Sequence, residues 1–281
     1  MKAGWMGGVA LLLCGAVWAT PVDEMLAKAQ ALYAQGKYEQ ALLGFKQAAD
    51  QGSSKSQFKL GVMYDIGQGV KKSYTESVVW YQKAADQGLA EAQHNLGHMY
   101  SEGQGVPKSY SKAVKWYRKA ADQGFVQAQN NLGLMYEKGE GLPQDYITAI
   151  EWYRKAAIQG YADAQYNLGI MYDNGRGVAQ NYVQASEWYH KAADQGHVDA
   201  QYNLGMMYDS GEGVLQNHAQ AADWYYKAAN QGDMDAQYNL GVMYEDGTGV
   251  SQNYTQAIVW YQKAAAQGHV KAKKHLDALT Q

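Results

Sequence analysis

Ala162-Asp163-Ala164-Gln165-Tyr166-Asn167-Leu168-Gly169-Ile170-Met171-Tyr172, then a Gly-rich link, then Tyr182 to Gln195, is the stretch that decides the fold. In its first half Ala164, Leu168, Met171 and Tyr172 stand at i, i+4, i+7 and i+8, one apolar stripe of a helix. In its second half Ala185, Trp188, Tyr189, Ala192 and Ala193 stand at i, i+3, i+4, i+7 and i+8. The stretch therefore predicts a helical hairpin with one apolar face per helix. Working outward, the same hairpin recurs: Trp80, Trp116, Trp152, Trp188, Trp224 and Trp260 are spaced 36 residues apart. A fixed period of that length is the mark of stacked repeats, which grow without a single saturating core.

The punctuation agrees with the period. Ser73, Ser109, Asp145, Asn181, Asn217 and Asn253 share one repeat position just before the second helix, and all are good N-cap residues. Glu76 follows Ser73 by three residues and predicts a capping box, which Gln184, Gln220 and Gln256 approximate after their asparagines. Gly88, Gly124, Gly160, Gly196, Gly232 and Gly268 close the second helix, as left-handed residues do. A further glycine recurs inside the first helix, at Gly61, Gly97, Gly133, Gly169, Gly205 and Gly241. Each costs about 1 kcal/mol against alanine, so close approach of the neighbouring helix at its Trp-Tyr pair is expected.

The chain has 281 residues and a formal charge of −3, which argues against nucleic acid as a partner because counterion release needs a basic stripe. Lys2, the apolar run Val9 to Cys14 and Val17-Trp18-Ala19 read as a secretory leader cut after Ala19. An uncleaved anchor is the alternative, although the apolar run is short for a hydrocarbon layer of about 30 Å. Lipoprotein processing at Cys14 is disfavoured by Leu13 before it. Cleavage would leave a mature chain without cysteine, stabilised by helix packing and not by disulfides. The expected location is a bacterial periplasm or the cell exterior.

The pattern L-G-x-M-Y-x-x-G-x-G-V followed by A-x-x-W-Y-x-K-A-A-x-Q-G resembles the Sel-one-like repeat family, relatives of the tetratricopeptide repeat. The resemblance covers roughly Lys37 to Gly268 and implies an all-α fold, a right-handed α-solenoid of stacked antiparallel helix hairpins. The organisation expected is a signal peptide over 1–19, a tetratricopeptide-like hairpin over 20–52, six repeats over 53–268 and a capping helix over 269–281. The first hairpin departs from the pattern, with Gly44 and Phe45 where the Trp and Tyr should stand. The last segment keeps Ala272 and Leu276 but carries Asp277 in place of the glycine, with Lys271, Lys273, Lys274 and His275 around it.

Motifs with chemistry are sparse. Gly103-Gln104-Gly105 and Gly211-Glu212-Gly213 follow helices and lack the P-loop lysine, so they read as turns. Ser56 to Lys59 and Ser109 to Lys112 match Ser-x-x-Lys without the partner motifs of a β-lactamase. Exported cysteine-rich members of the resembled family are described as binding or hydrolysing penicillins, which gives a β-lactam- or cell-wall-directed activity as the alternative function. This chain lacks their cysteines. His94, His98 and Glu102 share a helix face with metal-ligand spacing, yet other repeats place Tyr with Ile or Met there, which reads as variable surface. Asp173-Asn174 and Asp209-Ser210 are only fragments of calcium loops. No catalytic residue, metal site or cofactor is expected.

The informative positions are those where the repeat stops repeating. Along the first helices they read Phe58/Val62, His94/His98, Asn130/Leu134, Tyr166/Ile170, Tyr202/Met206 and Tyr238/Val242, with Asp65, Glu137, Asp173, Asp209 and Glu245 further on. In tetratricopeptide-like stacks the first helices line the concave surface, so the resemblance implies an aromatic groove with an acidic edge. Such a groove suits a protein or peptide with apolar anchors and basic flanks. The competing reading is that these side chains pack between adjacent repeats.

Overall fold

A computed structural model describes residues 20–281; the leader, with Cys14 and the expected cut after Ala19, lies outside the described residues. Among the described residues the chain forms fifteen α-helices and no strand, the all-α repeat solenoid that the period predicts. The helices are α1 (Pro21–Ala34), α2 (Tyr38–Asp50), α3 (Ser54–Ile66), α4 (Tyr74–Asp86), α5 (Ala90–Glu102), α6 (Tyr110–Asp122), α7 (Val126–Lys138) and α8 (Tyr146–Ala157). They continue as α9 (Ala162–Asn174), α10 (Tyr182–Ala193), α11 (Val198–Ser210), α12 (His218–Asn230), α13 (Met234–Asp246), α14 (Tyr254–Ala266) and α15 (Val270–Leu279). Two compact units result, one up to Gln87 and one from Gly88 onward.

The helical glycine explains how each hairpin closes. A Cβ on Gly169 would lie 2.5 Å from the Tyr189 ring, and the other five helical glycines meet Tyr81, Tyr117, Tyr153, Tyr225 and Tyr261 in the same way. Each of these tyrosines is buried. The expected close approach is therefore real, and its partner is the tyrosine of the Trp-Tyr pair. The tryptophan beside it is less enclosed: Trp152, Trp224 and Trp260 are buried, whereas Trp80, Trp116 and Trp188 are only half-buried. Every one of the six carries the ammonium of the lysine three residues on, 3.5 to 4.1 Å from a ring centroid, a cation–π contact along one helix face.

Consecutive hairpins are stitched by glutamines. In the second unit buried Gln165 donates to the Ala157 carbonyl at 3.1 Å and accepts from Gln195 Nε2 at 2.7 Å. Gln129, Gln201 and Gln237 repeat both bonds. In the first unit Gln57 bonds Ala49 and Gln87 likewise. A polar side chain is tolerated in the core here because its amide is satisfied on both ends.

Two capping expectations need correction. Ser73 does accept from the Glu76 N–H, but the box does not close, because the Ser73 N–H already donates to the Tyr64 carbonyl and seals the Gly-rich link. The same bond joins Asp145 to Tyr136 and Asn181 to Tyr172. Ser109 caps nothing with its side chain; its hydroxyl faces Ser111 at 3.3 Å. The chain's closed capping box is at Thr20 and Asp23, before α1. The second link glycines Gly69, Gly141, Gly177, Gly213 and Gly249 are held by contact as well as by backbone angle. Gly213 has φ 71°, and a Cβ there would sit 2.3 Å from the Tyr182 carbonyl oxygen.

In the first unit α1 and α2 form a hairpin whose core includes Ala29, Leu42 and Phe45, with Gly44 against Ala29. At the other end α15 buries Ala272 on α14 and leaves Lys271, Lys273 and Lys274 exposed.

Replacing Gly169 with alanine tests the closure. Helix propensity alone favours the change by about 1 kcal/mol, but overpacking against Tyr189 costs about 1–3 kcal/mol. Urea unfolding followed by circular dichroism is expected to show a lower midpoint, and more so for leucine; a raised midpoint for alanine contradicts the contact.

Candidate functional site

Along the side of the second unit that its first helices form, α11 lies against α13 and α13 against α15. Tyr166 stands half-buried on that side. One ring face tilts onto Tyr189 at 5.8 Å, and the ring stacks on His197 at 4.5 Å and 22°. His197 is the N-cap of α11: its Nδ1 accepts from the Ala200 N–H at 3.3 Å, and its Nε2 lies 3.7 Å from Asp163. The cap requires a bare Nδ1, which puts the proton on Nε2, facing the carboxylate. Tyr238 repeats the arrangement with Tyr261 and with His269, stacked at 4.4 Å. At Tyr202 the following N-cap is Asp233, which accepts from the Ala236 N–H at 2.6 Å. Burial, with Asp235 and Asp199 nearby, raises the Asp233 carboxyl above its ordinary range.

The row changes character toward α5. His94 packs between Tyr117 and Phe125, 5.7 and 5.2 Å between centroids, with Nε2 3.1 Å from Asn131. Burial lowers its pKa. His98 and Glu102 are exposed, so the spacing does not gather the three around one point. Among the described residues no three ligating side chains could hold a metal together. Asn130 is buried and accepts from Asn167 at 2.9 Å. Leu134, Ile170 and Val242 are half-buried and Met206 is exposed. In the first unit Phe58 tilts onto Tyr81 at 5.8 Å, while Val62 and Asp65 are half-buried.

The acidic positions meet the core from the same side. Glu137 accepts from Tyr153 Oη at 2.6 Å, Asp173 from Tyr189 at 3.1 Å and Glu245 from Tyr261 at 2.5 Å. Asp209 pairs with His218 at 2.7 Å. Glu245 also meets His275 at 2.8 Å; burial works against its charge, but Tyr261 and His275 prevail and keep its pKa low. Burial first, and then these carboxylates, push the phenols of Tyr153, Tyr189 and Tyr261 well up, and burial with Asp209 does the same for Tyr225. Packing and exposure thus coexist at Tyr166, Tyr202 and Tyr238: one side of each ring packs on the buried tyrosine of its own hairpin, and the rest borders solvent.

Several groups on this face have no counterpart in the sequence reading. Asp163, Asp199 and Asp235 form an exposed row one helix turn before the tyrosines, and Asn167, Asn203 and Asn239 a half-buried row beside them. Their identity at 36-residue spacing was the available signal. A hollow of about 360 Å³ opens between Tyr202 and Tyr238, lined also by Asp235, Asn239 and His269. The Ser-x-x-Lys pairs are not assembled for chemistry. Ser56 is fully buried and the Lys59 ammonium lies over the Tyr33 ring at 5.8 Å, while Lys112 lies over Tyr100 at 5.1 Å.

The family model described as Sel1 repeat matches residues 54–89, 90–125, 126–161, 162–197, 198–233 and 235–269. Among solved structures, a protective antigen present in uropathogenic Escherichia coli strains, displaying an SLR fold, is 36% identical with a TM-score of 0.84. That match covers 92% of this chain and 59% of the other, so the chain spans well under two thirds of that protein. A Sel1 repeat protein from Oxalobacter formigenes is 40% identical with a TM-score of 0.81, covering 92% of this chain and 76% of the other. No curated protein sequence matches the chain.

The buried phenols set an alkaline limit. A tyrosine whose folded pKa is raised contributes stability that is complete below the unfolded value near 10 and is lost as pH climbs toward the folded value. Tyr153, Tyr189 and Tyr225 together remove up to about 4 kcal/mol per pH unit in that window. The buried phenols are expected to contribute a cooperative step in tyrosinate absorbance coincident with loss of helicity; complete ionisation of the chain's 24 tyrosines while the helices persist would contradict the burial.

Proposed function

Because the chain belongs to the Sel1 repeat family, we propose that it is an exported scaffold that holds a protein or peptide partner on the face built by its first helices. Sel1 repeat proteins are scaffolds for protein–protein interaction. One observation carries the reading to this face. Tyr166, Tyr202 and Tyr238 recur half-buried on neighbouring helices, each fixed on one side by a buried tyrosine. Rings anchored in that way contact a ligand with little loss of side-chain entropy, the property that makes aromatic residues dominate binding surfaces. The apolar side chains Ile170, Met206 and Val242 and the carboxylates Asp173, Asp209 and Glu245 flank them. Export rests on the leader-like first nineteen residues.

The test has two parts. Crosslinking in the native compartment identifies the partner, and sequencing the mature amino terminus is expected to place it at Thr20. Replacing Tyr166, Tyr202 and Tyr238 with alanine is then expected to abolish capture of that partner while far-ultraviolet circular dichroism stays unchanged. Capture by a folded triple variant overturns the assignment of the face.

A further inference from the structure

The charge on the second unit is sorted by helix. α9, α11 and α13 carry seven carboxylates and no lysine or arginine. The lysines of the same repeats lie on the second helices, where Lys191, Lys227 and Lys263 are held over tryptophans. Arg176, in the link after α9, is engaged with Glu137 at 3.2 Å. The basic side chains that meet carboxylates of the three helices directly are histidines: His197 at Asp163, His218 at Asp209, His269 at Asp235 and His275 at Glu245. The result is an aromatic and acidic strip, built three times over from one set: Asp163 with Tyr166, Asp199 with Tyr202, Asp235 with Tyr238.

We propose that this strip reads an extended basic peptide with a cationic side chain at every third residue, one for each of the three aspartate–tyrosine pairs. The inference rests on the partner-binding reading above and names the partner's chemistry. Packed helices stand about 10 Å apart, and an extended chain advances about 3.3 Å per residue. Three residues therefore span one repeat. A guanidinium or ammonium placed between a tyrosine ring and an aspartate gains both the ring quadrupole and the carboxylate charge. The hollow between Tyr202 and Tyr238 is lined by Asp235 and Asn239, with His269 and Lys271 on the side of α15. An extended peptide also presents backbone donors and acceptors, which a helix would have spent on itself. Asn203 and Asn239 lie beside the strip, near the hydroxyls of Tyr189 and Tyr225, with hydrogen-bonding capacity in each amide.

The strip has ends. On α7 the aspartate and tyrosine positions hold Gln127 and Asn130, and on α15 they hold Lys271 and Lys274. Three cations are therefore the full register, and a fourth meets either a neutral pair or two lysines.

The experiment uses the full mature chain and fluorescein-labelled synthetic peptides of one composition, with arginines at every second, third, fourth or seventh residue, read by fluorescence anisotropy. Equal composition cancels the general attraction of a basic peptide to an acidic surface, which salt screens. Each of the first three arginines at third-residue spacing is expected to tighten binding about fivefold, and a fourth to add nothing. The other spacings are expected to bind at least about tenfold more weakly. Asp163→Asn, Asp199→Asn and Asp235→Asn together, substitutions on exposed side chains that keep an oxygen acceptor opposite His197 and His269, are expected to erase the spacing preference. Equal affinity for all spacings, a preference for every seventh residue, or a preference that survives the triple asparagine variant overturns the proposal. If the crosslinked partner is lost in the tyrosine variant while no spacing preference exists, this inference alone fails; a partner retained by that variant removes the face itself.

Discussion

The contact between a helical glycine and a buried tyrosine twenty residues later is the constraint on which each repeat depends. Without a Cβ at Gly169, the ring of Tyr189 lies flat against the backbone of α9, and the two helices of the hairpin come closer than side-chain packing would allow. The glycine weakens its own helix by about 1 kcal/mol, and burial of a whole tyrosine ring more than offsets that loss. The tyrosine hydroxyl then emerges at the edge of the core, where Asp173, Glu137 or Glu245 accepts its hydrogen bond. One contact thus fixes both the hairpin angle and the place of the acidic row.

That coupling explains which parts were legible in the sequence. The tryptophan interval and the glycine positions carry the hairpin because backbone geometry permits few alternatives at each. The capping box at Ser73 was misread for a physical reason: its backbone N–H is claimed by the Tyr64 carbonyl before Glu76 can reach it, and a local motif cannot show a bond that spans a link. The glutamine ladder escaped because Gln165 and Gln195 read as polar surface until the stack brings them together at 2.7 Å. His197 and His269 were invisible as caps, since an imidazole takes that role only with Nδ1 bare and a carboxylate waiting at Nε2.

The candidate face was half legible. Positions that vary between repeats stood out at once, but whether they packed or faced solvent could not be decided from spacing, because Tyr166, Tyr202 and Tyr238 do both. Tyr166 spends one face on Tyr189 and His197 and keeps an open edge. His94 and Asn130, at the same repeat position, are drawn inward and form hydrogen bonds to Asn131 and Asn167. The same backbone position therefore offers a packed tyrosine or phenylalanine ring in four repeats and a hydrogen-bonded polar group in two others.

Repetition is what turns this difference into specificity. A single aspartate beside a tyrosine binds a cation weakly, because exposed charge pairs contribute about 1 kcal/mol or less. Three such pairs on a rigid spacing act together only on a ligand whose own spacing matches, since the second and third contacts are then made at the effective concentration set by the first. A stack held by ring-to-backbone contacts keeps that spacing fixed, and α9, α11 and α13 carry no lysine or arginine of their own to compete with an outside cation for Asp163, Asp199 and Asp235, which are exposed. The structural repeat supplies the ruler, and the side chains that are not needed to build it supply the reading.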